Sequence, residues 1–176
     1  MKPKTVGRHA GTSPVRDESV PSNGAHSQDK LSRNNGLMPG TRLLTLDGEL
    51  PVEFLSPGDR IITRDSGMAV LRDLRVMDAD CETVTVRAGS LGHTRPDADM
   101  VLPATQRVLV RDWRAEALFG MKAALVPIKR LVDGDFVSVG PRRRMRLIQL
   151  VFDVPHILYA DGLEVESAVA ERATTA

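Results

Sequence analysis

The sequence predicts an all-β domain of two related lobes, with short strands and little helix. One observation is an internal repeat. Leu55-Ser-Pro-Gly58-Asp59-Arg60-Ile61-Ile62 and Leu131-Val-Asp-Gly134-Asp135-Phe136-Val137 share a Leu, two residues, Gly-Asp and an apolar β-forming run. Upstream, residues 42–47 and 107–112 match in the same order. A repeated strand, connection, anchoring Leu, turn and strand implies two equivalent halves. The other observation is punctuation: short runs rich in Val, Ile, Leu and Thr are separated by Asp47-Gly48, Pro57-Gly58-Asp59, Asp133-Gly134, Gly140-Pro141 and Asp161-Gly162, the chemistry of tight turns.

Along the chain, residues 1–35 are Ser, Asn, Gly, Pro, His and basic residues without a period of two or 3.6, so this arm is expected to be disordered. Composition changes abruptly at Gly36-Leu37-Met38-Pro39-Gly40, where the domain of residues 36–167 begins. Expected strands are 42–46, 52–55, 60–63, 70–76, 82–87, 107–111, 124–127, 136–139, 145–152 and 156–160. Several are apolar on both faces, as suits a folded-over sheet. Helix is confined to a turn or two at 115–119 and 128–131, and residues 168–176 read as a frayed tail or one loose helical turn. In the repeated turns Gly58 and Gly134 supply positive φ. Asp59 and Asp135 accept hydrogen bonds from turn amides. These four roles are structural.

Composition excludes several classes of function. The 24 basic and 23 acidic side chains nearly cancel, so no global charge draws the chain to nucleic acid or membrane. A single cysteine, Cys81, rules out an internal disulfide and cysteine-rich metal knuckles. No apolar run is long enough to span a bilayer, and no secretory signal opens the chain. These features together read as a cytoplasmic protein of a reducing compartment, without a membrane partner.

Gly36-Leu-Met-Pro-Gly40-Thr41-Arg42-Leu43-Leu44-Thr45-Leu46-Asp47-Gly48, continuing to Gly58-Asp59, resembles the opening of a Hint domain. That is the hedgehog/intein self-processing module, here in the form common in bacterial stand-alone proteins. Asp99-Met-Val-Leu-Pro103-Ala-Thr-Gln106-Arg107 is similar to the family's second motif, and Leu125–Gly134 and Phe152–Ser167 to its closing motifs. The resemblance covers residues 36–167 in the right order and implies a pseudo-two-fold β fold.

It also implies chemistry: autocatalytic peptide-bond cleavage or splicing that starts with an N-to-S or N-to-O acyl shift. The family's opening Cys or Ser attacks the preceding carbonyl; here that position is Gly36, which has no side chain to attack with. The second motif's His, which protonates the departing nitrogen, is replaced by Gln106, whose amide transfers no proton near neutral pH. Pro103 replaces the Ser or Thr that opens that motif, and Glu166-Ser167 replace the terminal His-Asn whose Asn cyclises. His156 is the motif residue that remains, read mainly as a hydrogen-bonded histidine near a strand start and secondarily as a catalytic remnant. The expected molecule is a degenerate Hint module retained for binding or accessory work. Its own N-terminal arm or another extended peptide would occupy the cleft, beside an unidentified protein partner, and no cofactor is implied. The alternative is self-processing through other groups, with Ser32 upstream of Gly36 and Thr41 in or beside the first strand.

Other residues attract weaker readings. Cys81 lies among carboxylates that raise a thiol pKa, so it reads as an ordinary thiol at a strand start. His93, Asp97 and Asp99 have metal-ligating side chains but sit in an Arg- and Pro-containing segment that reads as a solvated loop, so no metal site is expected. Arg142-Arg143-Arg144-Met145-Arg146 reads as a solvated hairpin tip, with an acidic-partner or nucleic-acid contact as the alternative. Asn34-Asn35-Gly36 is open to succinimide formation, deamidation or slow scission because glycine hinders nothing.

Overall fold

The computed structural model describes residues 35–169. The arm of residues 1–34, with Ser32 and Asn34, and residues 170–176 lie outside the described residues. Twelve strands follow in order: β1 Arg42–Thr45, β2 Gly48–Pro51, β3 Arg60–Thr63, β4 Gly67–Val70, β5 Asp73–Val86, β6 Met100–Pro103, β7 Arg107–Val110, β8 Ala124–Pro127, β9 Val137–Phe152, β10 Ile157–Ala160, β11 Leu163–Glu166 and β12 Ala168–Val169. One helix, α1 (Trp113–Phe119), and two 3-10 turns, Val52–Phe54 and Ile128–Leu131, complete the described chain.

The internal repeat is visible at the level of elements. β1, β2, a 3-10 turn and β3 correspond to β7, β8, a 3-10 turn and the start of β9. Registers agree: Arg42 pairs with Pro51 and Arg107 with Pro127. The Val52 amide donates to the Thr41 carbonyl and the Ile128 amide to the Gln106 carbonyl, each at 2.8 Å. The lobes differ in their first connection, a two-residue turn in one and the α1 segment in the other.

One sheet runs β2-β1-β3-β10-β11-β7-β8, with β4 on β3; the other runs β12-β9-β5-β6. Leu43, Val52 and Ile61 of one lobe meet Val108, Ile128 and Val137 of the other in a shared core, all with no exposed surface.

Several expectations are corrected. Residues 52–54 form a 3-10 turn rather than a strand, because Pro51 fixes the entry (φ −58°) and the Val52 amide is spent on Thr41. Most of 70–76 and 82–87 is joined in β5, while Val70 ends β4, and most of 136–139 with 145–152 is joined in β9; the two strands form a long ribbon. Arg142 to Arg146 is therefore not a hairpin tip. Asp78 stands opposite Arg146 and Asp80 opposite Arg144, and Arg144 reaches Asp78 at 3.3 Å while Arg142 approaches Asp80 at 3.7 Å. Cross-strand charge pairs hold together what reads locally as a polar break. The ribbon bends at a register shift between Cys81 and Thr83. There a Cβ on Gly140 would run into Thr83 Oγ1, whose hydroxyl donates to the Pro141 carbonyl at 3.0 Å. Residues 168–169 form neither a helical turn nor a frayed end: β12 pairs in parallel with Val151 and Phe152 of β9.

Candidate functional site

The chain enters the described domain through a bridge, not a loop. Leu37 exchanges both backbone hydrogen bonds with Ile148 of β9, at 2.9 and 2.8 Å, which draws Asn35 and Gly36 into the floor of a cleft beside β11. Gln106 closes the other side. It follows the turn after β6, where its amide donates to the Pro103 carbonyl at 2.9 Å. Pro103 itself is buried and brings no donor.

The Gly36 amide donates to Gln106 Oε1 at 3.0 Å. Gln106 Nε2 donates to the carbonyls of Glu166 at 2.9 Å and Arg107 at 3.1 Å. Gln149 Nε2 donates to the Asn35 carbonyl at 2.5 Å. The Asn35–Gly36 peptide is thus gripped at both ends by side-chain amides, and Gln106 is 1% exposed. Space left in the cleft is about 10 Å³, room for one water at most.

Gly36 has φ +155°, and a Cβ there would lie 3.1 Å from Leu147 Cβ and 3.2 Å from the Ile148 carbonyl oxygen. A side chain at position 36 would crowd β9. Glu166 and Ser167 line the same cleft. Burial raises the Glu166 carboxyl above its ordinary value, with Arg107 opposing at 3.2 Å. The Ser167 hydroxyl accepts from the His156 amide at 3.0 Å and donates to the Ala168 carbonyl at 3.2 Å.

His156 joins this site through its backbone, while its ring faces elsewhere. Nδ1 lies 2.7 Å from Asp65 Oδ2 and 3.2 Å from Ser66 Oγ, and Phe152 packs edge-on at 5.4 Å. A relay from carboxylate to hydroxyl needs one partner on each ring nitrogen; here both share Nδ1. Burial raises the Asp65 carboxyl, but hydrogen bonds from the Ile157 amide and from His156 outweigh it and hold it below the ordinary value.

The structure thus brings together Gly36, Gln106, Glu166 and Ser167. A profile of the Hint domain family matches residues 35–172. The chain belongs to the Hint domain family. Its fold is similar to the bacterial intein-like domain from Clostridium thermocellum, at 14% identity and a TM-score of 0.50, covering 76% of this chain and 98% of that one. A DnaB intein from Synechocystis aligns with a TM-score of 0.48 at 9% identity, over 76% of this chain and 99% of its own. No curated protein matches the sequence.

Elsewhere in this Hint domain, the repeated turns differ in chemistry. Gly58 and Gly134 have φ of +100° and +85°, and Asp59 Oδ2 accepts from the Ser56 amide at 2.8 Å. In the second lobe Asp133, not Asp135, accepts the turn amides, from Asp135, Phe136 and Val137, each at 2.9 Å. Asp133 precedes the glycine, so its carboxylate points back into the turn's open amides. Cys81 lies within β5, not at a strand start, 3.5 Å from Met145 Sδ, and burial raises its thiol pKa. Asp99 caps the Ala88 amide at 2.8 Å, and Asp97 approaches Gly162. No group of three metal-ligating side chains converges among the described residues. No helix among them is long and apolar enough to cross a membrane.

Sequence reasoning missed Gln149 and Asp65. The signal for Gln149 was a lone polar residue in the apolar run Leu147-Ile148-Gln149-Leu150-Val151. Asp65 carried none.

Proposed function

We propose that this Hint domain no longer performs the acyl shift at position 36 and serves as a folded module whose cleft holds an extended chain segment. The observation behind this reading is the floor at Gly36: no side chain is present to attack, and one placed there would crowd β9. Gln106 completes the change, since it accepts at the Gly36 amide where proton donation is needed. The occupant is the protein's own chain at residues 35–37, bridged to β9 and gripped by Gln106 and Gln149. His156, held by Asp65 and bonded through its backbone to Ser167, positions the start of β10. The Ser167 hydroxyl is committed at both ends, which disfavours it as a substitute nucleophile. Arg142 and Arg144 are engaged with acidic partners on β5, which disfavours nucleic-acid binding there.

The test is intact mass of full-length Asn35→Ala protein at neutral pH with a thiol or hydroxylamine. Removing the Asn35 side chain eliminates imide chemistry, which hydroxylamine would also trap. A protein that makes no ester or thioester stays whole; an N-terminal fragment trapped as a thioester or hydroxamate at residue 35 would overturn the reading.

A further inference from the structure

We propose that the pocket where the β5–β6 loop meets the end of β7 and the start of β11 binds a single dianionic oxyanion group, either free phosphate or the phosphoryl end of a phosphate ester. The site is separate from the Gly36 cleft and does not depend on the fate of the acyl shift.

Glu164 of β11 is the anchor. It is 5% exposed, and Arg111 donates to its carboxylate from both Nε and Nη2, at 2.8 and 2.7 Å. Arg64 reaches the same carboxylate at 3.3 Å and Arg95 at 3.8 Å. A buried carboxylate is satisfied by one bidentate arginine. Here one negative charge gathers three guanidinium groups and neutralises only one of them. The surplus cations repel one another, and a bound anion relieves that repulsion. Two other carboxylates stand near. Asp112 lines the pocket but is committed to Arg114 and to the first turn of α1. Asp97 lies behind Gly162 and is exposed, so solvent screens its charge.

The dimensions suit one small group. The pocket holds about 30 Å³, room for two or three waters at about 10–15 Å³ each, which fits a tetrahedral head and not a nucleoside. Arg95 and Arg111 both line it. Glu164 fixes the Arg111 fork, and the Arg95 guanidinium lies over the Tyr159 ring at 5.9 Å. Two planar forks held in place before the ligand arrives lose little freedom on binding and match oxyanion oxygens in pairs. The remaining wall is the loop. Gly92, His93 and Thr94 have φ of +75°, +48° and +58°, and two successive non-glycine residues in the left-handed region are uncommon. The His93 and Thr94 amides meet no acceptor among the described residues, the condition in which consecutive turn amides take anions.

The experiment titrates isotope-labelled full-length protein with inorganic phosphate at mildly alkaline pH, with ionic strength held constant by chloride, and follows the backbone amide resonances. Phosphate is expected to move Gly92, His93, Arg95 and Arg111 with saturation, and sulfate, a dianion of the same shape, to do the same. A parallel titration with phenyl phosphate separates the two sources: binding of both probes at these residues assigns a phosphate ester as well, and binding of phosphate alone assigns the free ion. Arg95→Gln leaves Glu164 paired with Arg111 and Arg64, so its melting temperature is expected to hold while phosphate binding weakens about ten- to a hundredfold, the size of a lost charged hydrogen bond. Arg142→Gln, on the ribbon, is expected to change nothing. The proposal is overturned by shifts in wild type that grow without saturating, by shifts centred on Arg142–Arg146, or by equal phosphate affinity in folded Arg95→Gln. These measurements follow binding and not chain cleavage, so they fail or succeed independently of the acyl-shift test.

Discussion

A side chain at position 36 would need both a φ of +155° and room that Leu147 Cβ and the Ile148 carbonyl occupy. Gly36→Ala is therefore expected to cost about 1–3 kcal/mol, from backbone strain and overpacking together. Urea denaturation measures it. The sequence marks Gly36 as a missing nucleophile, but the filled space around it is a property of β9 and invisible in a local motif. Gln106 is legible for the same reason as Gly36, by motif spacing. Gln149 is not, because its partner Asn35 is far away in sequence and no spacing links them. His156 is legible as a residue, yet its orienting partner Asp65 is not. That pair yields a pH prediction. The Asp65 carboxyl sits below 3.8 because the Ile157 amide and His156 outweigh its burial. A depressed carboxyl contributes stability that is present above its unfolded value and lost as pH falls through the folded one. Acid unfolding of wild type is expected to steepen below 3.8, and Asp65→Asn to flatten that limb, as read by thermal melts across the acid range.

The repeated anchoring leucines give the duplication an energetic test. Leu55 and Leu131 are 5% and 2% exposed and hold equivalent turns against one core. Leu55→Ala and Leu131→Ala should each cost about 2–5 kcal/mol by the usual cavity rule, measured by chemical denaturation. A large effect in one lobe and none in the other would deny that the lobes are energetically equivalent. Strands of uniform hydrophobicity, such as 60–63 and 124–127, were legible because their composition and flanking turns agree. The β5–β9 ribbon was not. Its middle carries Asp78, Asp80, Arg142 and Arg144, which read as solvated breaks until the opposite strand supplies the countercharge. β2, β4, β6, β11 and β12 were missed because they are two to four residues long and, unlike 60–63 and 124–127, are neither uniformly β-branched or aliphatic nor cleanly bounded by turn residues.

In the molecule as a whole, two lobes and a ribbon bring residues 35–37, 106, 149 and 166–167 into one cleft that grips a peptide bond while offering no attacking side chain at position 36. That combination is the central claim, and it separates holding a chain from processing it by an acyl shift. The most direct measurement is the intact mass of freshly purified full-length Asn35→Ala protein, followed at neutral pH with and without hydroxylamine. The account predicts one unchanging mass under both conditions. A hydroxylamine-accelerated cut before Gly36, leaving a hydroxamate on residue 35, would contradict it and show that an ester still forms in this cleft.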